Sequence, residues 1–137
     1  MSPFATLLLE LRLRHGLRQS ELAELMGYEQ AYISGVEIGT KGVPTSEFIE
    51  KLVVALALQP EEQDRVREAA LTSNRKLAIA PDAPEALFLL LAELREFLSD
   101  PHPDYVRLIR DVLRLRQTLT VEPPASVQRI RRRKSED

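Results

Sequence analysis

The stretch Leu17-Arg-Gln-Ser-Glu-Leu-Ala-Glu-Leu-Met-Gly-Tyr-Glu-Gln-Ala-Tyr-Ile-Ser-Gly-Val-Glu-Ile-Gly39 decides the fold. Its first half, from Gln19 to Met26, puts Leu22, Ala23 and Met26 on one helical face, and Gly27 supplies the stop. A second short helix runs from about Gln30 to Val36, with Ile33 and Val36 near one another on its face, and ends near Gly39. Ala23 is small enough for the second helix to cross the first closely. Gly27 tolerates the left-handed backbone that a tight turn between two helices demands.

Outward from that pair the chain reads as helix almost throughout, rich in leucine, alanine, glutamate and arginine. Upstream, Pro3 suits a first turn, Phe4, Leu7, Leu8 and Leu11 form an apolar stripe, and Gly16 follows as a stop. Downstream, Thr40 to Pro44 reads as a loop. Thr45 or Ser46 then caps a fourth helix striped by Phe48, Leu52, Ala55 and Leu56. Pro60 opens a fifth, with Glu61 and Glu62 where the helix dipole favours acids. The pattern breaks from Thr72 to Pro84, where Leu77-Ala78-Ile79 is a candidate for a brief strand. Two further helices follow, Glu85 to Leu98 and Asp104 to Leu119, joined by a turn around Pro101-His102-Pro103. The expected fold is all-α: a five-helix domain over residues 1–73, a linker over 74–84, a helical hairpin over 85–120, and a basic tail over 121–137.

Composition removes several classes of function. The chain has no cysteine, which excludes disulfides, thiolate metal sites and a cysteine nucleophile. No uninterrupted apolar run exceeds that from Ala86 to Ala92, far short of the ~20 residues that cross a bilayer. No secretory leader is legible, so a cytoplasmic protein without membrane contact is the expectation. His15 and His102 have no carboxylate spacing around them that points to a metal. Gly39-Thr-Lys-Gly42 lacks the spacing of a phosphate-binding loop. Neither enzyme chemistry nor a cofactor is expected. The net charge of −2 speaks against nucleic acid only as a sum. Residues 1–72 hold 7 basic and 11 acidic side chains, but Arg12, Arg14, His15 and Arg18 cluster, while most of the acids lie from Glu47 to Glu68. The field that a polyanion meets depends on such clustering.

The ordered set Gln19, Leu22-Ala23, Gly27, Ile33-Ser34 and Glu37-Ile38-Gly39 resembles the Cro/CI-type, or XRE-like, helix-turn-helix transcriptional regulators, a likeness that spans about residues 4 to 72. The resemblance implies a phage-repressor-like fold whose second motif helix lies in the DNA major groove. It places base reading on Gln30, Ala31 and Ser34. Gln30 can pair with adenine, and Ala31 can meet a thymine methyl. Backbone contacts fall to Arg18, Gln19, Tyr32 and Lys41, with Tyr32 packing on the fourth helix as the alternative. Glu37 resembles a structural acid that pairs inside the domain with Arg14 or Arg12, Arg14 being the favoured partner. The chain departs from the family at Arg18, which cannot accept a capping hydrogen bond, at Glu29, a poor cap, and at Gly35, where a base-contacting side chain is common.

Beyond the motif, Leu87, Leu90, Leu91, Leu94, Phe97 and Leu98, then Tyr105, Leu108, Ile109 and Val112, give the last two helices more apolar surface than a hairpin hides by itself. They either pack on the first domain or pair with a second subunit, and the homodimer is the favoured reading. Arg129, Arg131, Arg132, Arg133 and Lys134 form a basic run that suits a DNA arm or a solvated tail. The expected function is a homodimeric, sequence-specific regulator, a repressor at a palindromic operator on double-stranded DNA. The alternative is an adaptor or antitoxin whose C-terminal helices hold a protein partner.

Overall fold

The computed structural model describes residues 1–119. Seven helices occupy them: α1 (Pro3–Arg14), α2 (Gln19–Met26), α3 (Gln30–Ile38), α4 (Ser46–Ala55), α5 (Pro60–Thr72), α6 (Glu85–Leu98) and α7 (Pro103–Leu119). They fall into two compact units, one over Met1–Ala78 and one from Ile79 onward, and the division lies inside the 74–84 segment.

In the first unit the starts of α1, α2 and α4 have local causes. Ser2 accepts the Ala5 N–H at 3.1 Å ahead of Pro3 at N1, and Thr45 accepts the Phe48 N–H at 3.2 Å. Arg18 makes no such bond for α2. Instead the Glu21 carboxylate reaches back to accept the Arg18 N–H at 2.7 Å. Between α2 and α3 the chain turns at Gly27, whose φ of 76° is the left-handed conformation expected there.

The five helices close on one core. Phe4, Leu8 and Leu11 from α1 meet Leu22, Ile33, Phe48, Leu52 and Val66 from the other four, all buried. Each such side chain stabilises the fold by about 1.5–3 kcal/mol relative to exposure. α1 packs on α3 and α5, α2 on α3 and α4, and α4 on α5. The α4 stripe differs in one member from the expected set: Ile49 is buried beside Phe48, Leu52 and Leu56, and Ala55 is only half-buried. α1 and α5 are also tied at their ends, because Ser73 accepts the Phe4 N–H at 2.9 Å and donates to the Ala69 carbonyl at 2.6 Å. Residues 77–79 form no strand.

The second unit is built differently. α6 buries no residue, and the described side chains of α7 are exposed except half-buried Ile109. Phe97 and Tyr105 meet edge to face at 6.2 Å across the turn, where His102 accepts the Asp104 N–H at 3.2 Å.

Candidate nucleic-acid interface

The α2–α3 pair is fixed from below by a polar cluster. Glu37, at 6 % exposure the buried charge of the core, accepts from Arg12 Nε at 2.6 Å and Nη2 at 3.3 Å, and from Gln19 Nε2 at 2.6 Å. Arg12 Nη1 also donates to the Leu17 carbonyl at 2.8 Å. The partner of Glu37 is therefore Arg12. The favoured expectation of Arg14 is corrected: Arg14 lies on the exposed side of α1 and pairs with Glu62 of α5. Among the described residues no buried side-chain polar atom lacks a partner.

That cluster also alters the reading of Gln19. One N–H of its amide donates to Glu37, which leaves the second N–H and the carbonyl oxygen for another partner. Beside that second N–H, the start of α2 offers a phosphate the backbone N–H groups of its first turn. Arg18, immediately before them, is exposed.

The outward face of α3 carries Gln30 and Ala31, both exposed, and half-buried Ser34. Ile38 continues it four residues on, 67 % exposed, and completes a row that the motif-based reading left out. Its signal was the spacing from Ala31 and Ser34. This face has no positive side chain of its own, and Glu29 caps α3 without a side-chain hydrogen bond. Gly35 stands one turn on from Ala31, at the edge of this face. It has no side chain to offer a base and is buried, with Lys41 and Thr40 against it.

Tyr32 packs rather than extends. Its ring stacks on Tyr28 at 4.8 Å and lies 5.8 Å from Phe48. Two lysines ride on this aromatic layer: Lys41 Nζ is 5.7 Å from the Tyr32 centroid and Lys51 Nζ is 4.7 Å from that of Tyr28. Lys51 also donates to Glu47 at 3.0 Å, and that hydrogen bond raises the lysine above its usual pKa. Arg75, placed by sequence in the linker, donates to the Gly39 carbonyl just past the C-terminus of α3, where the dipole favours a cation.

Arg129, Arg131, Arg132, Arg133 and Lys134 lie outside the described residues. Among the described residues, no His, Asp and Glu group could hold a metal ion, and no helix is long and apolar enough to cross a membrane.

No curated protein matches the chain. A family model described as a helix-turn-helix domain matches residues 3–66, the span of α1 to the middle of α5. The packed α2–α3 pair, its left-handed Gly27 and the exposed row on α3 are the features of a DNA-binding module of that kind. The match over residues 3–66 shows a helix-turn-helix domain there and supports the XRE-like regulator assignment that the motif implies.

Proposed function

We propose that the chain is a homodimeric transcriptional regulator, a cytoplasmic repressor that occupies a palindromic operator. The observation that carries this is the exposed row Gln30, Ala31, Ser34 and Ile38 on α3, bordered by Lys41 and held at a fixed angle to α2 by Glu37. Gln30 reads adenine with its amide, Ala31 and Ile38 contact thymine methyls, and Lys41, Arg18 and the first-turn N–H groups of α2 meet phosphates. Repression follows from occupancy of a promoter.

The homodimer rests on the second unit. Leu90, Leu98, Tyr105, Leu108 and Val112 are exposed in one copy, while Leu87, Leu91, Leu94, Phe97 and Ile109 are half-buried. Soluble monomers rarely leave so much contiguous apolar surface open. The flanking charges favour a second copy as the cover. α6 carries Glu85, Glu93 and Glu96 against one base, Arg95, and α7 carries Arg107, Arg110, Arg114 and Arg116 against two acids, Asp104 and Asp111, the latter paired with Arg114. Set against each other, α6 of one subunit and α7 of the next place opposite charges along the seam.

Selection of bound duplexes from a random DNA pool tests the reading. The expected winner is an inverted repeat with half-site centres one helical turn, ~34 Å, or a multiple of it apart. Failure to enrich any sequence overturns it. The acid at Glu29 and the lack of a positive charge on the α3 row favour a second reading, an adaptor or antitoxin that binds a protein through α6 and α7. In that case the purified protein shows no salt-dependent DNA binding.

A further inference from the structure

Gly35 stands in the middle of α3, where glycine weakens a helix, and its backbone is not in the left-handed region, so no turn requires it. Its surroundings give another reason for its presence. The Gly35 carbonyl accepts from Gly39 N at 3.0 Å, from Lys41 N at 3.2 Å and from Thr40 Oγ1 at 3.2 Å, which fastens the loop after α3 onto the helix. The Lys41 stem then runs over the glycine. A Cβ there would stand 3.0 Å from Lys41 Cγ, 3.4 Å from its Cε and 3.2 Å from Thr40 Oγ1. From that point the side chain heads back along α3, and its ammonium ends 5.7 Å from the centroid of Tyr32, one turn nearer the helix start.

We propose that Gly35 is a positioning residue for DNA: by omitting a side chain it lets Lys41 lie along α3 and holds the ammonium beside the base-reading row, ready for a phosphate. The inference rests on the reading of Lys41 as a phosphate ligand. Tyr32 completes the cradle, since its own ring is fixed by stacking on Tyr28 and gives the cation a face to rest on. A lysine already held in place has less freedom to lose on binding than a freely rotating one, so the same charge binds more tightly.

The test compares wild type, Gly35→Ala, Lys41→Ala and the double variant by fluorescence anisotropy on a labelled random-sequence duplex at several salt concentrations. Thermal melts of all four run alongside. Lys41→Ala lowers the slope of log affinity against log salt by about 0.9, the loss of one phosphate contact. Gly35→Ala leaves that slope near the wild-type value, because the charge remains, but weakens binding by about two- to tenfold, the scale of ordering one long side chain. In the Lys41→Ala background, Gly35→Ala has no further effect on affinity. An equal loss in both backgrounds overturns the proposal, because glycine would then act through the helix and not through Lys41. An unchanged affinity for Gly35→Ala in the wild-type background overturns it too. If Lys41→Ala alone changes neither affinity nor slope, the phosphate reading of Lys41 fails and the inference falls with it.

Discussion

Arg12 on α1 reaches across the core to Glu37 on α3, with Nε 2.6 Å from Oε1 and both side chains nearly closed to solvent, at 12 and 6 % exposure. With Gln19 on the same carboxylate and Leu17 on the same guanidinium, the pair joins α1, the turn after it, α2 and α3 at one point. A buried ion pair of this kind is weak evidence of net stability, since both charges lose their hydration. Its use lies in fixing geometry. Glu37→Ala leaves the guanidinium buried without its anion and is expected to cost about 3–5 kcal/mol in urea unfolding. Glu37→Gln keeps the volume and an acceptor and is expected to cost clearly less. Equal losses for the two variants would mean that the retained volume and acceptor contribute nothing and that the charge carries the whole effect.

Ser73 gives a second, separable test. It is the acceptor for the Phe4 N–H at the start of α1, an orphan donor that the helix cannot satisfy itself. Ser73→Ala removes the acceptor from a partly buried amide and is expected to lower stability by about 1–2 kcal/mol. The urea midpoint should fall with an unchanged slope, because the surface exposed on unfolding stays the same. A midpoint equal to that of wild type would show that water replaces the hydroxyl without loss.

A pair of substitutions at two left-handed positions should act in opposite directions. Gly27 has φ 76° and nothing within 4 Å of the place a Cβ would occupy, so Gly27→Ala carries only the backbone cost, about 1–2 kcal/mol. Ala57, just past α4, has φ 48° and already bears that cost. The bonds Ala57 N–H to Val54 and Leu58 N–H to Val53 close the end of α4 around it. Ala57→Gly is expected to raise stability by up to about 1 kcal/mol, and a melting temperature at or below wild type would contradict the strain.

These two positions also mark how far sequence reading extends. Gly27 was legible because glycine after an apolar period is itself the signal for a helix stop. Ala57 was not, because an alanine carries no sign of the conformation imposed on it by α4 and the buried Leu56 and Leu58 beside it. The helices of the first unit follow from apolar spacing, and the match over residues 3–66 agrees with the motif that the spacing framed. Which arginine meets Glu37 did not follow. Arg12 and Arg14 sit two residues apart, on different sides of α1, and only the packing of α1 on α3 selects between them. The neighbour of Gly35 did not follow either: motif register assigns a position but not what lies beside it, and here that is Lys41, six residues on. The apolar rows of α6 and α7 were legible as rows, but a row does not name what covers it.

The cover is open to a direct measurement at Val112. It lies near the middle of α7, 57 % exposed, with Leu108 and Leu115 exposed a turn to either side. In one isolated copy a glutamate there meets mostly solvent, so the fold of the subunit should change by no more than about 0.5 kcal/mol. In a homodimer sealed by these faces the same carboxylate is driven into an apolar seam, where an unpaired charge cannot be accommodated. Wild type is expected to give twice the chain mass of 15.6 kDa by light scattering after gel filtration, and Val112→Glu that mass itself with unchanged helical circular dichroism. On the selected inverted repeat the variant should bind more weakly by about 10²-fold or more, because the two reading helices no longer share one effective concentration. On a single half-site the two proteins should bind alike. A wild-type protein that runs as a monomer at micromolar concentration, or a variant that keeps the doubled mass, would remove α6 and α7 from the interface.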